Sequence, residues 1–197
     1  MRLYGTVTSP YVRRVRIVAQ ELGLDHELID TADDEGQAAM RALNPLWKIP
    51  TLQLGDQTLF DSEVITEHLM RTHGPGPLAS DHTDLEARNV ITVIDGALDA
   101  LINTFYLAKD GVTAEQASYV GKHHGRARAS LEWLDARVDG PWASAAKSFG
   151  LVEIAVCTAL EWMRFRNAYP VADHPNLVAL MEHHAERESL VSTRPPA

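Results

Sequence analysis

The first stretch with chemical potential is "TSPYVRR", residues 8–14, where a Ser-Pro pair opens a helix. Ser9 is a typical N-cap, and Pro10 suits the first helical position. Arg13 and Arg14 follow, although positive charge is unfavourable near a helix N-terminus. Free N–H groups and a hydroxyl at a helix start attract anions, so Ser9 could bind an anion as well as cap the helix.

A second stretch, "NPLWKIPTL" (44–52), contains a proline directly before a predicted strand. Pro50 restricts Ile49 to extended conformations. A cis bond would leave the Ile49 backbone free to pair with a peptide-like ligand, whereas a trans proline entering an edge strand is the more common structure. Lys48 could hold a carboxylate as a mobile point charge, although a loop lysine is usually only solvated. The residues alone do not decide whether the bond before Pro50 is cis or trans, or whether Lys48 binds a carboxylate or is only solvated.

The third stretch, "FDSEVI" (60–65), places an acid and a hydroxyl at another helix start. The helix N-terminus with Ser62 suits a carboxylate, and Asp61 beside it suits an ammonium group. Together they would fit the head of an amino acid. A plain N-cap at Asp61 or Ser62 would explain the same residues.

The histidine and cysteine residues give little indication of a metal site or a disulfide bond. The chain has nine histidines, but both His-His pairs, 123/124 and 183/184, are adjacent and point apart on a helix. No His-Glu-x-x-His or cysteine-rich spacing occurs, so we expect no metal site. The only cysteine, Cys157, lies in an apolar stretch, which predicts an inert core residue and fits a reducing cytoplasm.

Composition narrows the class of protein. The chain has 197 residues, 45% of them hydrophobic, which is enough for a sizeable core. The net charge of −9 and the absence of a basic stripe argue against nucleic acid as a partner. We find no 18-residue apolar span and no leader-like segment in residues 1–20, so we expect no membrane partner and a cytoplasmic location.

The order of elements predicts two domains. Residues 1–74 contain a strand–helix–strand unit, a short helix, two strands around a Gly-Asp turn and a helix that begins at Asp61 or Ser62. A linker, 75–81, follows with Gly-Pro pairs. Strand signals vanish after it, and residues 82–197 show helical spacing throughout, with 151–163 apolar nearly all round.

In combination, the three stretches and the all-helical second half resemble the glutathione S-transferase superfamily. The Ser-Pro-aromatic-x-Arg-basic opening is most similar to the bacterial serine-type members. The resemblance covers the chain down to the closing segment "HPNLVALMEHHAERESLVSTRPP", 174–196. It implies an α/β thioredoxin-like N-terminal domain followed by an all-α C-terminal domain.

The resemblance also implies a glutathione site. Pro50 would be cis, and the Ile49 backbone would pair with the cysteinyl unit of glutathione. Asp61 and Ser62 would hold the γ-glutamyl head, and Lys48 would reach the glycyl carboxylate.

In the same resemblance, Ser9 would donate a hydrogen bond to the glutathione thiolate. A helix N-terminus with a hydroxyl donor favours a thiolate. Thr8 is the alternative donor, less favoured by strand alternation and by the Pro10 boundary. We expect Arg13 and Arg14 to lie on a solvated face rather than to add positive potential.

The resemblance therefore implies a homodimeric glutathione transferase that joins glutathione to a small electrophilic, apolar substrate. We expect the second-substrate pocket between the Thr6–Thr8 loop and the first long helix, with Thr8, Phe105 and Tyr106, and Trp162 as a weaker candidate. One alternative is a glutathione-dependent isomerase of the maleylacetoacetate type, although its Ser-Ser-Cys opening is missing. The other is a non-catalytic glutathione- or ligand-binding protein on the same fold.

Two features depart from the superfamily pattern. The usual Ser/Thr-x-x-Asp capping box of the central helix is replaced by Gly150 and Glu153, so we expect a less rigid helix. Ser9 stands where thiol-transfer subclasses carry a cysteine, which argues against disulfide reductase and dehydroascorbate chemistry.

Overall fold

The structure, a computed structural model, describes residues 1–79 and 83–196 and forms two compact units. The first is Met1–Ser80 with Glu186–Ala197, and the second is Asp81–Ala185. Residues 186–196, which were predicted to belong to the all-helical domain, group with the first unit, and residue 197, the predicted end of that domain, lies outside the described residues. Residues 80 and 81 of the predicted linker, and residue 82 at the predicted start of the helical domain, lie outside the described residues.

A four-stranded mixed sheet forms the first unit, in the order β2-β1-β3-β4. Strand β1 runs parallel to β2 and antiparallel to β3, and β3 is antiparallel to β4. The parallel pair confirms the predicted strand–helix–strand unit, and the fold is the predicted thioredoxin-like one. The strands are β1 (Arg2–Gly5), β2 (Glu27–Asp30), β3 (Thr51–Leu54) and β4 (Gln57–Phe60).

Eight α-helices accompany the sheet in the described part of the chain, besides one short 3-10 helix at Val171–Asp173. The first unit holds three before the linker and a short one at the end of the chain. The second unit holds four, so its predicted all-helical class is correct. They are α1 (Pro10–Glu21), α2 (Asp34–Leu43), α3 (Ser62–His73), α4 (Leu85–Lys109), α5 (Ser118–Asp135), α6 (Leu151–Phe165), α7 (Pro175–His184) and α8 (Glu188–Ser192).

Helix α1 carries two buried arginines, and one of them, Arg13, is bonded to helix α8 and the residue after it. Arg13 and Arg14 are only 2% and 5% exposed, so the prediction of a solvated face is wrong. Arg13 Nε donates to Thr193 Oγ1 at 3.2 Å, and its Nη2 donates to the Leu190 carbonyl at 2.9 Å. These partners lie at the far end of the chain, where helical periodicity within α1 gives no indication of them.

An ion pair makes a second connection between α1 and the closing segment. Arg187 donates to both carboxylate oxygens of Glu21, at 2.6 and 2.7 Å, and Ser189 Oγ donates to the same carboxylate. Burial alone would raise the pKa of Glu21, but these hydrogen bonds outweigh burial and hold the pKa below its usual range. The closing segment is therefore fastened to α1 at two places.

Helices α4 and α6 form the centre of the second unit. Helix α4 packs on α5 and α6, and α6 packs on α7. Helix α6 extends the predicted 151–163 to Phe165, and Cys157 is fully buried in it, as predicted.

The expectation that no long apolar span occurs needs correction, because α4 is long and apolar enough to cross a membrane by length and composition alone. Its Ile94, Leu98 and Leu101 are fully buried within this unit.

Glu153 takes over the missing capping box of α6. Its carboxylate is fully buried and accepts N–H bonds from Ala143, Ser144 and Gly150 at 3.2, 3.0 and 3.2 Å. Burial raises the pKa of Glu153 in spite of these bonds. One carboxylate therefore holds both the glycine N-cap and the loop before it, so the unusual residues still give a well-bonded helix start.

His123 on α5 is a buried base without a hydrogen-bond partner in the described part of the chain. It is 4% exposed, neither ring nitrogen is bonded, and the Tyr119 ring meets its ring edge-on at 4.3 Å. Burial, with Arg126 and Lys122 nearby, lowers the pKa of His123. The imidazole is therefore neutral when the protein is folded at neutral pH.

We predict that His123 makes the protein less stable in mild acid. The unfolded histidine has a pKa of about 6.5, so below that pH the unfolded chain binds a proton that the folded chain resists. The free energy of unfolding should fall as the pH drops below about 6.5 in wild type, and less steeply in His123→Phe, which keeps an aromatic ring. Urea unfolding at several pH values measures this slope. His124→Phe, an exposed neighbour, is the control, and equal slopes in all three proteins would refute the prediction.

Candidate functional site

The sheet register places the three sequence stretches at one end of the sheet. Thr51 pairs with Tyr4 on β1 and with Phe60 on β4, and both pairings are antiparallel. The chain therefore leaves β1, enters β3 and leaves β4 at the same end of the sheet. The residues around Ser9, Ile49 and Asp61 follow directly from these three strand ends.

Ser9 is the N-cap of α1, as predicted. Its backbone is extended, and its Oγ accepts the Val12 N–H at 3.3 Å. A hydroxyl that accepts one hydrogen bond still has its own hydrogen to donate. The side chain is half-buried rather than enclosed, so a ligand atom can reach it.

Thr8, the alternative donor, lies one residue earlier in the same turn. Its Oγ1 is 3.4 Å from the Thr6 Oγ1, so the two hydroxyls share a weak hydrogen bond. Ser9 makes no such contact with another side chain among the described residues. The local bonding thus leaves the Ser9 hydroxyl the less committed of the two donors.

The peptide bond between Ile49 and Pro50 is cis, which confirms the prediction. Pro50 is buried and Ile49 is half-buried, whereas Lys48 is exposed. Within the described residues, no hydrogen bond engages the Ile49 backbone N–H or C=O. Unpaired backbone groups beside a strand end can accept an added extended segment.

Asn44 holds this loop in place, and the sequence analysis missed it. Its side chain is fully buried and its Nδ2 donates to the Lys48 carbonyl at 2.8 Å and to Thr51 Oγ1 at 2.9 Å. Its Oδ1 accepts the Leu46 N–H at 2.9 Å, and Thr51 Oγ1 donates to the same Lys48 carbonyl at 3.1 Å. An asparagine just after a helix and before Pro45 was the only local signal for this role.

Asp61 is the N-cap of α3, which settles the choice between Asp61 and Ser62. Its φ is 78°, in the left-handed region, and its Oδ1 accepts the Glu63 N–H at 2.8 Å. Its carboxylate is exposed, while Ser62, the first residue of α3, is buried. An exposed carboxylate and the first turn of a helix thus stand side by side.

The aromatic candidates for a second-substrate pocket form a cluster on the second unit. The Phe105 ring lies edge-on to Tyr106 and to Trp162, with centroid distances of 5.4 and 5.8 Å. Tyr106 is 59% exposed, whereas Trp162 is buried. The cluster therefore has one ring in the core and one available to a ligand, and Thr8 belongs to the first unit.

Residues 1–79 and 83–196 contain no group of three or more His, Cys, Asp or Glu side chains that could hold a metal ion. The site as described consists of hydroxyl, carboxylate, ammonium and backbone groups. Such groups bind and orient a peptide-like molecule through hydrogen bonds and charge.

A family model and a bacterial relative match this chain. A family model described as glutathione S-transferase, N-terminal domain, matches residues 3–77. An uncharacterized GST-like protein of Escherichia coli (strain K12), YibF, is 30% identical over 203 residues, which cover 100% of this chain and 99% of that protein.

Two solved structures are similar over the whole chain. A glutathione S-transferase from Methylobacillus flagellatus KT with GSH bound has 30% identity and a TM-score of 0.85, with 99% of both chains covered. A glutathione transferase family member from Pseudomonas fluorescens Pf-5 with bound glutathione has 28% identity and a TM-score of 0.85, covering 100% of this chain and 99% of the other.

We predict that Asn44→Ala destabilises the protein. The change removes all three hydrogen bonds of a fully buried side chain: the Leu46 N–H loses its acceptor, and the Lys48 carbonyl keeps only the bond from Thr51 Oγ1, which should lower the free energy of unfolding by about 2–3 kcal/mol. Urea unfolding measures the difference. Asn103→Ala is the control, because Asn103 is exposed and bonds only to the Asp99 carbonyl in the described structure, so its cost should stay below about 0.5 kcal/mol. Equal losses would show that Asn44 does not hold the loop.

Proposed function

From the membership of this chain in the glutathione S-transferase superfamily, we propose that it is a glutathione transferase. It activates the glutathione thiol and directs the thiolate to an electrophilic atom of an apolar second substrate. The sulfur electron pair forms the new bond, and the leaving group departs with the electron pair of the bond that breaks. We also propose that it acts as a cytoplasmic homodimer, as the family resemblance implies.

One observation carries the proposal: three groups suited to different parts of a tripeptide follow directly from three strand termini at the same end of the sheet. The unpaired Ile49 backbone would bind the cysteinyl unit as an added strand. The exposed Asp61 carboxylate would bind the ammonium of the γ-glutamyl head, and the first turn of α3 with Ser62 would bind its carboxylate. Lys48 would reach the glycyl carboxylate.

Ser9 is the proposed donor to the thiolate. A free thiol has a pKa of about 8.5, and lowering that pKa by about 2 units needs about 2.7 kcal/mol of preferential thiolate stabilisation. A charge-assisted hydrogen bond supplies about 1.5–3 kcal/mol, and the start of α1 adds favourable potential. The cap bond from Val12 does not use the hydroxyl hydrogen of Ser9, so Ser9 can donate this hydrogen to the thiolate.

The exposed Tyr106 also suits a non-catalytic ligand-binding protein, since an accessible aromatic side chain can hold apolar molecules without reaction. Measured turnover separates the transferase from the non-catalytic carrier and from the isomerase. Glutathione binding without thioether formation across a panel of electrophiles would favour the carrier, and isomerisation of maleylacetoacetate would favour the isomerase.

We predict that Asp61→Asn weakens glutathione binding by about tenfold, equivalent to about 1.4 kcal/mol, with little change in kcat. Asparagine keeps the cap oxygen and tolerates the positive φ, so the change removes mainly the charge. Its proposed contact is remote from the sulfur and is present in both ground and transition states. Calorimetric titration with glutathione measures the affinity.

Asp33→Asn is the matched control for Asp61. Asp33 is the N-cap of α2 and accepts the Gly36 N–H at 2.7 Å, in the same way that Asp61 caps α3. This variant should bind glutathione as wild type does. Unchanged affinity in Asp61→Asn would remove Asp61 from the site.

We predict that removing the Ser9 hydroxyl raises the pKa of bound glutathione. Ser9→Ala should also cost about 1 kcal/mol of stability, because alanine is a poor N-cap, whereas Ser9→Gly retains most of the cap. In both variants the rate at neutral pH should fall, and raising the pH should restore part of it. Thiolate absorbance of the glutathione complex, followed against pH, measures the shift.

The Ser9 experiment separates capping from thiolate stabilisation. If both variants titrate as wild type does, Ser9 is a structural cap only. Thr8→Ala should then be the variant that shifts the titration, since Thr8 is the neighbouring hydroxyl.

A further inference from the structure

Two cations lie against one aromatic ring of the second unit. Lys109 Nζ is 4.7 Å from the Phe105 ring centroid and 5.6 Å from the Tyr106 centroid. Arg166 Cζ is 5.5 Å from the same Phe105 centroid and 4.6 Å from that of Phe165. Positive charge is thus concentrated on the aromatic cluster of Phe105, Tyr106 and Trp162, in a chain whose net charge is −9.

Neither cation is neutralised by a carboxylate in residues 1–79 and 83–196. No ion pair involves Lys109 or Arg166, whereas Arg164, two residues earlier, lies 3.6 Å from a Glu182 oxygen. The Arg166 Nε is buried without a hydrogen-bond acceptor. A buried N–H without an acceptor is energetically costly, so an acceptor supplied by a ligand would be favourable.

Cation–π contacts alone do not account for the positions of Lys109 and Arg166. A cation over an exposed ring is weakly stabilising, which could explain the position of Lys109. It leaves the Arg166 N–H unsatisfied, and it places two like charges near one ring although, among the described residues, no carboxylate forms an ion pair with either. A bound anion would relieve both costs.

We propose that the second substrate is an apolar, preferably aromatic, electrophile that carries a carboxylate. Phe105 and Tyr106 contact its ring, Arg166 donates from its guanidinium to the carboxylate, and Lys109 adds a second positive charge. This inference rests on the proposed transferase function and adds the class of substrate. Lys109 and Arg166 are then specificity-determining residues.

A matched pair of electrophiles tests the proposal. Chlorodinitrobenzene and chlorodinitrobenzoate, with the same positions of chlorine and nitro groups, differ only by the carboxylate. In both, the glutathione sulfur forms a bond to the ring carbon that bears chlorine, the C–Cl bond breaks, and chloride leaves with the electron pair. Each enzymatic rate is divided by its uncatalysed rate, so that intrinsic reactivity cancels.

The kinetic readout is the ratio of kcat/KM for the carboxylated electrophile to kcat/KM for the neutral one. We expect this ratio to exceed about ten in wild type and to fall about tenfold in Arg166→Gln and in Lys109→Gln, mainly through KM. Arg164→Gln, which has its own partner in Glu182, should leave the ratio unchanged. Thermal unfolding of each variant checks that it is folded.

A binding measurement keeps this inference separate from the proposed function. Dinitrobenzoate, which lacks the leaving chloride, is titrated into wild type and into the three variants while tryptophan fluorescence is followed. Weaker binding in Arg166→Gln and Lys109→Gln, without turnover of either electrophile, would retain the anion site and refute the transferase. Turnover with a ratio near one, or dinitrobenzoate binding that is equal in all four proteins, would overturn the anion site.

Discussion

The first unit depends on the fixed position of Thr51. Its backbone pairs with Tyr4 on one side and Phe60 on the other, so a single residue sets the register of three strands. Its hydroxyl, which is fully buried, joins the Asn44 amide to the Lys48 carbonyl. A slip of one residue would turn every side chain of β3 to the opposite face. The strand ends that place the candidate site are therefore fixed by the same contacts that close the loop before β3.

Helix α1 links this sheet end to the end of the chain. Its first turn carries the Ser9 cap, and its later turns hold the closing segment through Arg13 and through the Glu21–Arg187 pair. Buried or half-buried charges cost desolvation energy, and here each has several hydrogen bonds that offset that cost. The helix that begins at the Ser9 cap is thus held by contacts that span 166 and 177 positions of the chain.

Sequence reasoning succeeded where the signal is local and failed where it is not. The Ser9-Pro10 cap, the cis Ile49–Pro50 bond and the all-helical second half follow from neighbouring residues or from a family pattern. Arg13 was misplaced because the residues that bury it come from α8, and Asn44 was missed because its role depends on the folded loop. The span in α4 was overlooked because Asp95 and Asp99 interrupt its apolar residues in the middle of the helix.

Charge in this protein acts locally rather than through its net value. With a net charge of −9, the long-range field repels anions such as glutathione and a carboxylated electrophile. At physiological ionic strength, however, interactions beyond about 8 Å are largely screened, so the nearest groups decide what binds. The start of α1, the exposed Lys48 and the unneutralised pair of Lys109 and Arg166 are the groups placed to act within that range. Their placement, and not the overall acidity, would then set which anions the protein accepts.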